Sequence, residues 1–146
     1  MNPLGSHDAR PKKIQPDLVL RLTVPGEPVP KGRPRFGRGH AFTPATTRRE
    51  EERVAMLAIH KLMYSALLGP TPTNCRRATD AAPRALTVTF YSGDHRRRDL
   101  DNLVKLVKDA LNGVAWKDDS QVDQLHASRI HGDPNPRTEI AVHRMT

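Results

Sequence analysis

Residues 84–113, RALTVTFYSGDHRRRDLDNLVKLVKDALNG, decide how this chain folds. Their first nine residues alternate, with Leu86, Val88 and Phe90 on one side and Thr87 and Thr89 on the other. That period of two is the pattern of a half-buried strand. After Gly93 the period changes. Leu100, Leu103, Val104, Val107 and Leu111 fall at i, i+3, i+4, i+7 and i+11, the apolar stripe of a helix, and Asn112-Gly113 stops it. A strand running through a basic loop into a helix is therefore the centre of the fold.

Outward from this unit the elements are short and clear. Leu18, Leu20, Leu22 and Val24 alternate with Val19, Arg21 and Thr23, predicting a strand that Pro25, Gly26, Pro28 and Pro30 end. Residues 31–42 predict a hairpin tipped by Arg38, with Lys31, Arg33 and Arg35 at every second position. Extended backbone would set those three cations in a row suited to phosphates. Thr43-Pro44 opens a helix whose Val54, Leu57, Ala58, Leu62 and Leu68 read as a core-packing face. Residues 69–83 predict a long loop containing Arg76-Arg77, and residues 121–131 and 138–143 predict two more strands. The order β, hairpin, α, loop, β, α, β, β describes one α+β domain over residues 17–146, with a mixed or antiparallel sheet and two main helices. Residues 1–16 read as a flexible basic tail.

Composition narrows the function classes. The 146 residues carry 24 Lys and Arg against 16 Asp and Glu, a formal charge of +8, which favours a polyanionic partner. No apolar run approaches the roughly 20 residues of a spanning helix, and the polar N-terminus has no apolar signal core. Cys75 is the only cysteine, so no intrachain disulfide forms, and the seven histidines lack zinc-ligand spacing. The expected setting is intracellular and cytoplasmic, without membrane attachment.

The acids around the second helix carry the chemistry. Asp99 and Asp101 flank Leu100 at its mouth, where any helix would favour them as a cap and a first-turn acid. Three features point further. Lys105 follows Asp101 by four residues, as either an ion-pair partner or a cation for a pentacovalent phosphate. Asp118-Asp119 returns shortly after the helix ends, and Arg96-Arg97-Arg98 directly precedes the acids. Carboxylates beside a basic run suit a place where divalent metal and phosphate meet. No P-loop and no serine nucleophile elbow competes.

The stretch Arg96-Arg97-Arg98-Asp99-Leu100-Asp101-Asn102-Leu103, with Lys105, Asp109-Ala110-Leu111 and Trp116-Lys117-Asp118-Asp119-Ser120-Gln121-Val122, resembles the RusA-type Holliday junction resolvases. Lys31-Gly32-Arg33-Pro34-Arg35 also resembles a basic motif of many phage-type members, so the likeness spans most of residues 18–143. It implies a RusA-like fold and Mg²⁺ (Mn²⁺ as substitute) held by Asp99, Asp101 and Asp119, with Lys105 completing the catalytic set. It further implies a homodimer that nicks four-way DNA junctions in recombination and repair. Lys31, Arg33, Arg35, Arg38, Arg96, Arg97 and Arg98 would grip the DNA. The connection from Leu111 to Trp116 is about one residue shorter than in the best-known bacterial form, leaving Asp118 as the alternative to Asp119. Two other readings stand beside this one. One is a non-catalytic protein that binds branched DNA, using the acids only as caps. The other is a nuclease acting on flaps.

Overall fold

The computed structural model describes residues 17–68 and 80–145. The predicted tail at 1–16, and residues 69–79 of the predicted loop with Cys75 and Arg76-Arg77, lie outside the described residues. The elements are β1 (Asp17–Pro25), β2 (Arg35–Gly37), β3 (His40–Phe42), α1 (Ala45–Leu68), β4 (Arg84–Ser92), α2 (Leu100–Leu111), a 3₁₀ turn (Asp119–Gln121), β5 (Val122–His131) and β6 (Arg137–Arg144). Type and order match the sequence reading. The 3₁₀ turn is new, because a three-residue helix is too short to show a periodicity.

Four strands form one sheet in the order β1-β6-β4-β5. β6 runs antiparallel to both β1 and β4, whereas β4 and β5 are parallel. The sheet is therefore mixed. A parallel pair needs a crossover connection, and α2 supplies it.

Alternation places the core on one face. Leu20, Leu22, Val24, Leu86, Val88, Phe90, Ile140 and Val142 are buried against Val54, Ala58 and Leu62 of α1 and the stripe of α2. Arg21, Thr23, Thr87, Thr89 and Glu139 occupy the opposite, polar face around a shallow depression. α2 is bound most deeply, with Leu103, Val104, Leu106, Val107, Ala110 and Leu111 all buried. Each large side chain among them contributes about 1.5–3 kcal/mol of transfer free energy. α1 departs from the expectation of a helix with a core face alone. Met56, Ile59, Met63 and Leu67 are exposed at three- and four-residue spacing, on the side away from Val54, Ala58 and Leu62.

β2 and β3 form the expected hairpin, with Gly37 opposite His40. Arg38 (φ 49°) and Gly39 (φ 83°) are its two loop residues. Two successive left-handed residues make the turn whose twist matches that of paired strands. The approach to this hairpin is pinned down. Lys31 N–H donates to the Asn102 carbonyl at 3.0 Å, and Gly32 N–H donates to Thr47 Oγ1 at 3.0 Å. A Cβ on Gly32 would lie 2.9 Å from Thr47 Oγ1, so the contact requires glycine.

The base of the sheet is organised by Arg84, which is fully buried. Its Nε donates to the Ala115 carbonyl at 3.1 Å, and Nη1 donates to the Ala82 carbonyl at 2.8 Å. Nη2 reaches Asp80 Oδ1 at 2.8 Å, and Arg144 Nε reaches Asp80 Oδ2 at 3.0 Å. Burial alone would raise the Asp80 carboxyl. Hydrogen bonds from Arg84, the Ala82 N–H and Arg144 outweigh it and hold the group below its ordinary value.

A carboxyl depressed by folding stabilises the native state above its unfolded pKa, and that stability is lost as pH falls through the native value. The wild-type melting temperature is thus expected to fall once the pH drops below the ordinary aspartate value of about 3.9 and on through the lower range in which native Asp80 protonates. Asp80→Asn should cost about 2–4 kcal/mol at neutral pH, because the buried Arg84 loses its counter-charge, and its acid limb should be flatter. Thermal melts from pH 2 to 7, as in a standard linkage series, compare the two proteins.

Candidate active site

α2 presents Asp101, Val104, Lys105, Lys108 and Asp109 along one side, at i, i+3, i+4, i+7 and i+8. Opposite stand Leu125 and Ala127 of β5 and, at the end, Asp119 from the 3₁₀ turn. Between them lies a cleft of about 650 Å³, also lined by Leu100. Three acids and two lysines rim it, while its walls are otherwise apolar. The parallel β4–β5 pairing creates this arrangement, because it returns the chain beside the helix that follows β4.

Asp119 is oriented from below. The indole of Trp116, fully buried, donates Nε1–H to Asp119 Oδ1 at 2.8 Å. Asp118 has a different task. It caps the 3₁₀ turn in a capping box with Gln121, and its carboxylate also accepts the Ser120 hydroxyl. Those hydrogen bonds from Ser120 hold the Asp118 carboxyl below its ordinary value. Gln121 Oε1 accepts the N–H groups of Lys117 and Asp118 at 2.8 and 2.9 Å. Its Nε2 donates to the carbonyls of Asp80 and Ala82, tying the turn to the Arg84 network.

Asp99 occupies the N-cap position of α2, in extended geometry (φ −66°, ψ 124°), but its side chain caps no backbone N–H. It is exposed, and Oδ2 accepts the Asn102 side-chain amide at 3.3 Å. The acid expected to cap the helix therefore does not do so. Asp101 and Lys105 likewise form no ion pair with each other, so the alternative of a simple helix salt bridge is not realised. Asp99 precedes Leu100 but does not line the cleft. Among the described residues, no three acidic, histidine or cysteine side chains close on one point.

The basic residues divide into two groups. Lys31, placed by the sequence in a row with Arg33 and Arg35, turns inward to bind Asp109 and, at 3.2 Å, Glu51. Desolvation would lower its ammonium, but the hydrogen bonds and charges of those two acids leave it above its ordinary value. Arg98 donates to both carboxylate oxygens of Asp94, at 2.7 and 3.1 Å. That interaction holds Asp94 low and Arg98 high. Arg33, Arg35, Arg38, Arg96 and Arg97 are exposed. His95 and His131 stack with ring centroids 6.0 Å apart, beside the loop that leads to Asp99. Three cleft residues, Lys108, Leu125 and Ala127, were not singled out from sequence. Lys108 sits seven residues after Asp101, a helical spacing that would have placed it on the same side.

The Endodeoxyribonuclease RusA family profile matches residues 25–143. Protein YqaN of Bacillus subtilis (strain 168) is 31% identical over 144 residues, covering 87% of this chain and 97% of that protein. Crossover junction endodeoxyribonuclease RusA of Escherichia coli (strain K12) is 26% identical over 125 residues, covering 85% and 93%. The RusA of Shigella sonnei (strain Ss046) is 35% identical over 66 residues, 44% of this chain and 55% of that protein. The matched region contains every element from the hairpin to β5, all but the last residue of β6, and the whole cleft. The chain belongs to the endodeoxyribonuclease RusA family.

Proposed function

We propose that the protein is a Mg²⁺-dependent, structure-specific endonuclease. It would resolve four-way DNA junctions by paired phosphodiester hydrolysis, acting as a homodimer in recombination and repair. The observation that carries this reading is the convergence of Asp101, Asp119 and Lys105 on one open cleft, with Asp119 fixed by a buried indole. Membership of the RusA family and the named activity of the Escherichia coli relative support it. A two-fold dimer would supply the two equivalent sites that paired nicks require.

The donor set suits Mg²⁺, which binds through one or two carboxylates, keeps several waters and leaves room for phosphate. Asp101 and Asp119 would hold it, with exposed Asp99 as the third acid. Bound there, the ion would supply a water of lowered pKa and offset charge on the scissile phosphate. The protein's own groups do the rest. Lys105, unpaired with Asp101, directs its ammonium to the charge that builds on the phosphoryl oxygens. Leu100, Val104, Leu125 and Ala127 give the cleft apolar walls, which lower the local polarity around that interaction. Trp116 keeps Asp119 in one orientation. Arg33, Arg35 and Arg38 of the hairpin segment, with Arg96 and Arg97, would contact backbone phosphates, while Lys31 and Arg98 brace the surfaces that carry them.

Cleavage of a synthetic four-way junction tests the reading. Wild type should cut it with Mg²⁺ and stop with EDTA. Asp101→Asn and Asp119→Asn should each lower the single-turnover rate at least about 100-fold, and Lys105→Ala about 100- to 1,000-fold, with junction binding retained. A wild-type protein that binds the junction with Mg²⁺ yet leaves it intact would overturn the proposal.

Trp116→Phe separates orientation from folding. It keeps most of the buried ring but deletes the donor to Asp119. The expected result is a roughly 10-fold slower single-turnover rate, equivalent to one lost hydrogen bond of about 1.4 kcal/mol, with junction affinity unchanged.

A further inference from the structure

Most half-buried lysines and arginines among the described residues have an acidic partner. Lys31 has Asp109 and Glu51, Arg98 has Asp94, Arg137 has Asp133 and Glu139, and Arg144 has Asp80. Lys108, inside the cleft, is one exception, and Arg129 is the other. Arg129 is half-buried on β5, yet it makes neither an ion pair nor a hydrogen bond among the described residues.

Its position follows from register. Leu125, Ala127 and Arg129 alternate along β5, whose pairing with β4 runs without irregularity from Ala85 opposite Gln124 to Ser92 opposite His131. Their side chains therefore rise on one face, and the first two line the cleft. Arg129 stands opposite buried Phe90, one strand repeat of about 6.8 Å beyond Ala127. It continues the cleft wall toward His131, which stacks on His95.

Partial burial of a cation without a counter-charge is unfavourable. A guanidinium held in that state at the end of a cleft is complementary to an anion, and its planar fork matches a phosphate bidentately. We propose that Arg129 grips a backbone phosphate of the DNA strand entering the cleft, and so positions that strand against Asp101, Lys105 and Asp119. This rests on the nuclease reading above for the identity of the strand. The competing structural role, an arginine stem covering apolar surface with its head in water, requires no phosphate.

Salt dependence separates the two. Affinity for a synthetic four-way junction, measured without Mg²⁺ across about 50–300 mM NaCl, reports phosphates neutralised through the slope of log K against log salt. Arg129→Ala should reduce that slope by about one for each Arg129 in contact and slow Mg²⁺-dependent cleavage at least 10-fold. Arg129→Lys should restore the slope but leave cleavage slow, since an ammonium lacks the fork. A thermal melt checks that both variants fold. An unchanged slope in folded Arg129→Ala would overturn the proposal, whatever its cleavage rate, because loss of packing alone does not alter counterion release. Should Arg129→Ala fail to fold, an Arg129→Lys that cleaves at the wild-type rate would overturn it equally. Should wild type bind the junction without cutting it, the nuclease reading falls, and the salt slope still judges Arg129.

Discussion

Most of the architecture depends on one buried guanidinium. Arg84 opens β4 with no exposure to solvent, and it binds two backbone carbonyls and one carboxylate from different segments. A buried arginine with its donors satisfied fixes geometry more strictly than apolar packing, because any displacement leaves a charge unpaired. Its bond to the Ala115 carbonyl holds the turn after α2, and the same turn carries Trp116. Its hold on residues 80–82 provides the carbonyls that Gln121 grips. Gln121 in turn closes the 3₁₀ turn from which Asp119 projects. The orientation of a cleft carboxylate is thus traceable to a charge at the start of β4 that does not itself line the cleft.

Sequence periodicity gave access to the parts of the fold that repeat. The alternation of Leu86, Val88 and Phe90 and the stripe from Leu100 to Leu111 identify β4 and α2 without ambiguity. Strand partners are a different matter, since neither pattern distinguishes a parallel from an antiparallel neighbour. The parallel β4–β5 pair, on which the cleft depends, therefore emerged only in three dimensions. That Asp101, Lys105 and Asp119 share one cleft was legible because spacing and type coincide in one segment, whereas Asp99, read together with them, stands outside it. The work of Gln121, Trp116 and Arg84 was not, because each acts through contacts that cross 3 to 41 positions of chain.

The structure also sorts charge in a way that composition cannot. A formal charge of +8 counts Lys31 and Arg98 equally with Arg35 and Arg38. Lys31 and Arg98 are internal braces, paired with Asp109, Glu51 and Asp94. The acids are sorted as well. Asp80, Asp94, Asp109 and Asp133 have cationic partners, whereas Asp99, Asp101 and Asp119 form no ion pair among the described residues. Carboxylates without counter-charges repel one another, and that repulsion is tolerated only where the chain is held by other means. Trp116 and the α2 stripe supply the hold.

The parallel pairing of β4 with β5 has a consequence for how the protein comes into being. Arg84 and Val122 are register partners although 38 positions separate them. A nascent chain cannot zip these strands together from a hairpin; it must first close a long loop by docking α2. Until that happens Asp101, on α2, and Asp119, ahead of β5, have no common cleft to line. The cleft is built entirely from the second half of the chain, so it forms only once that half has been synthesised.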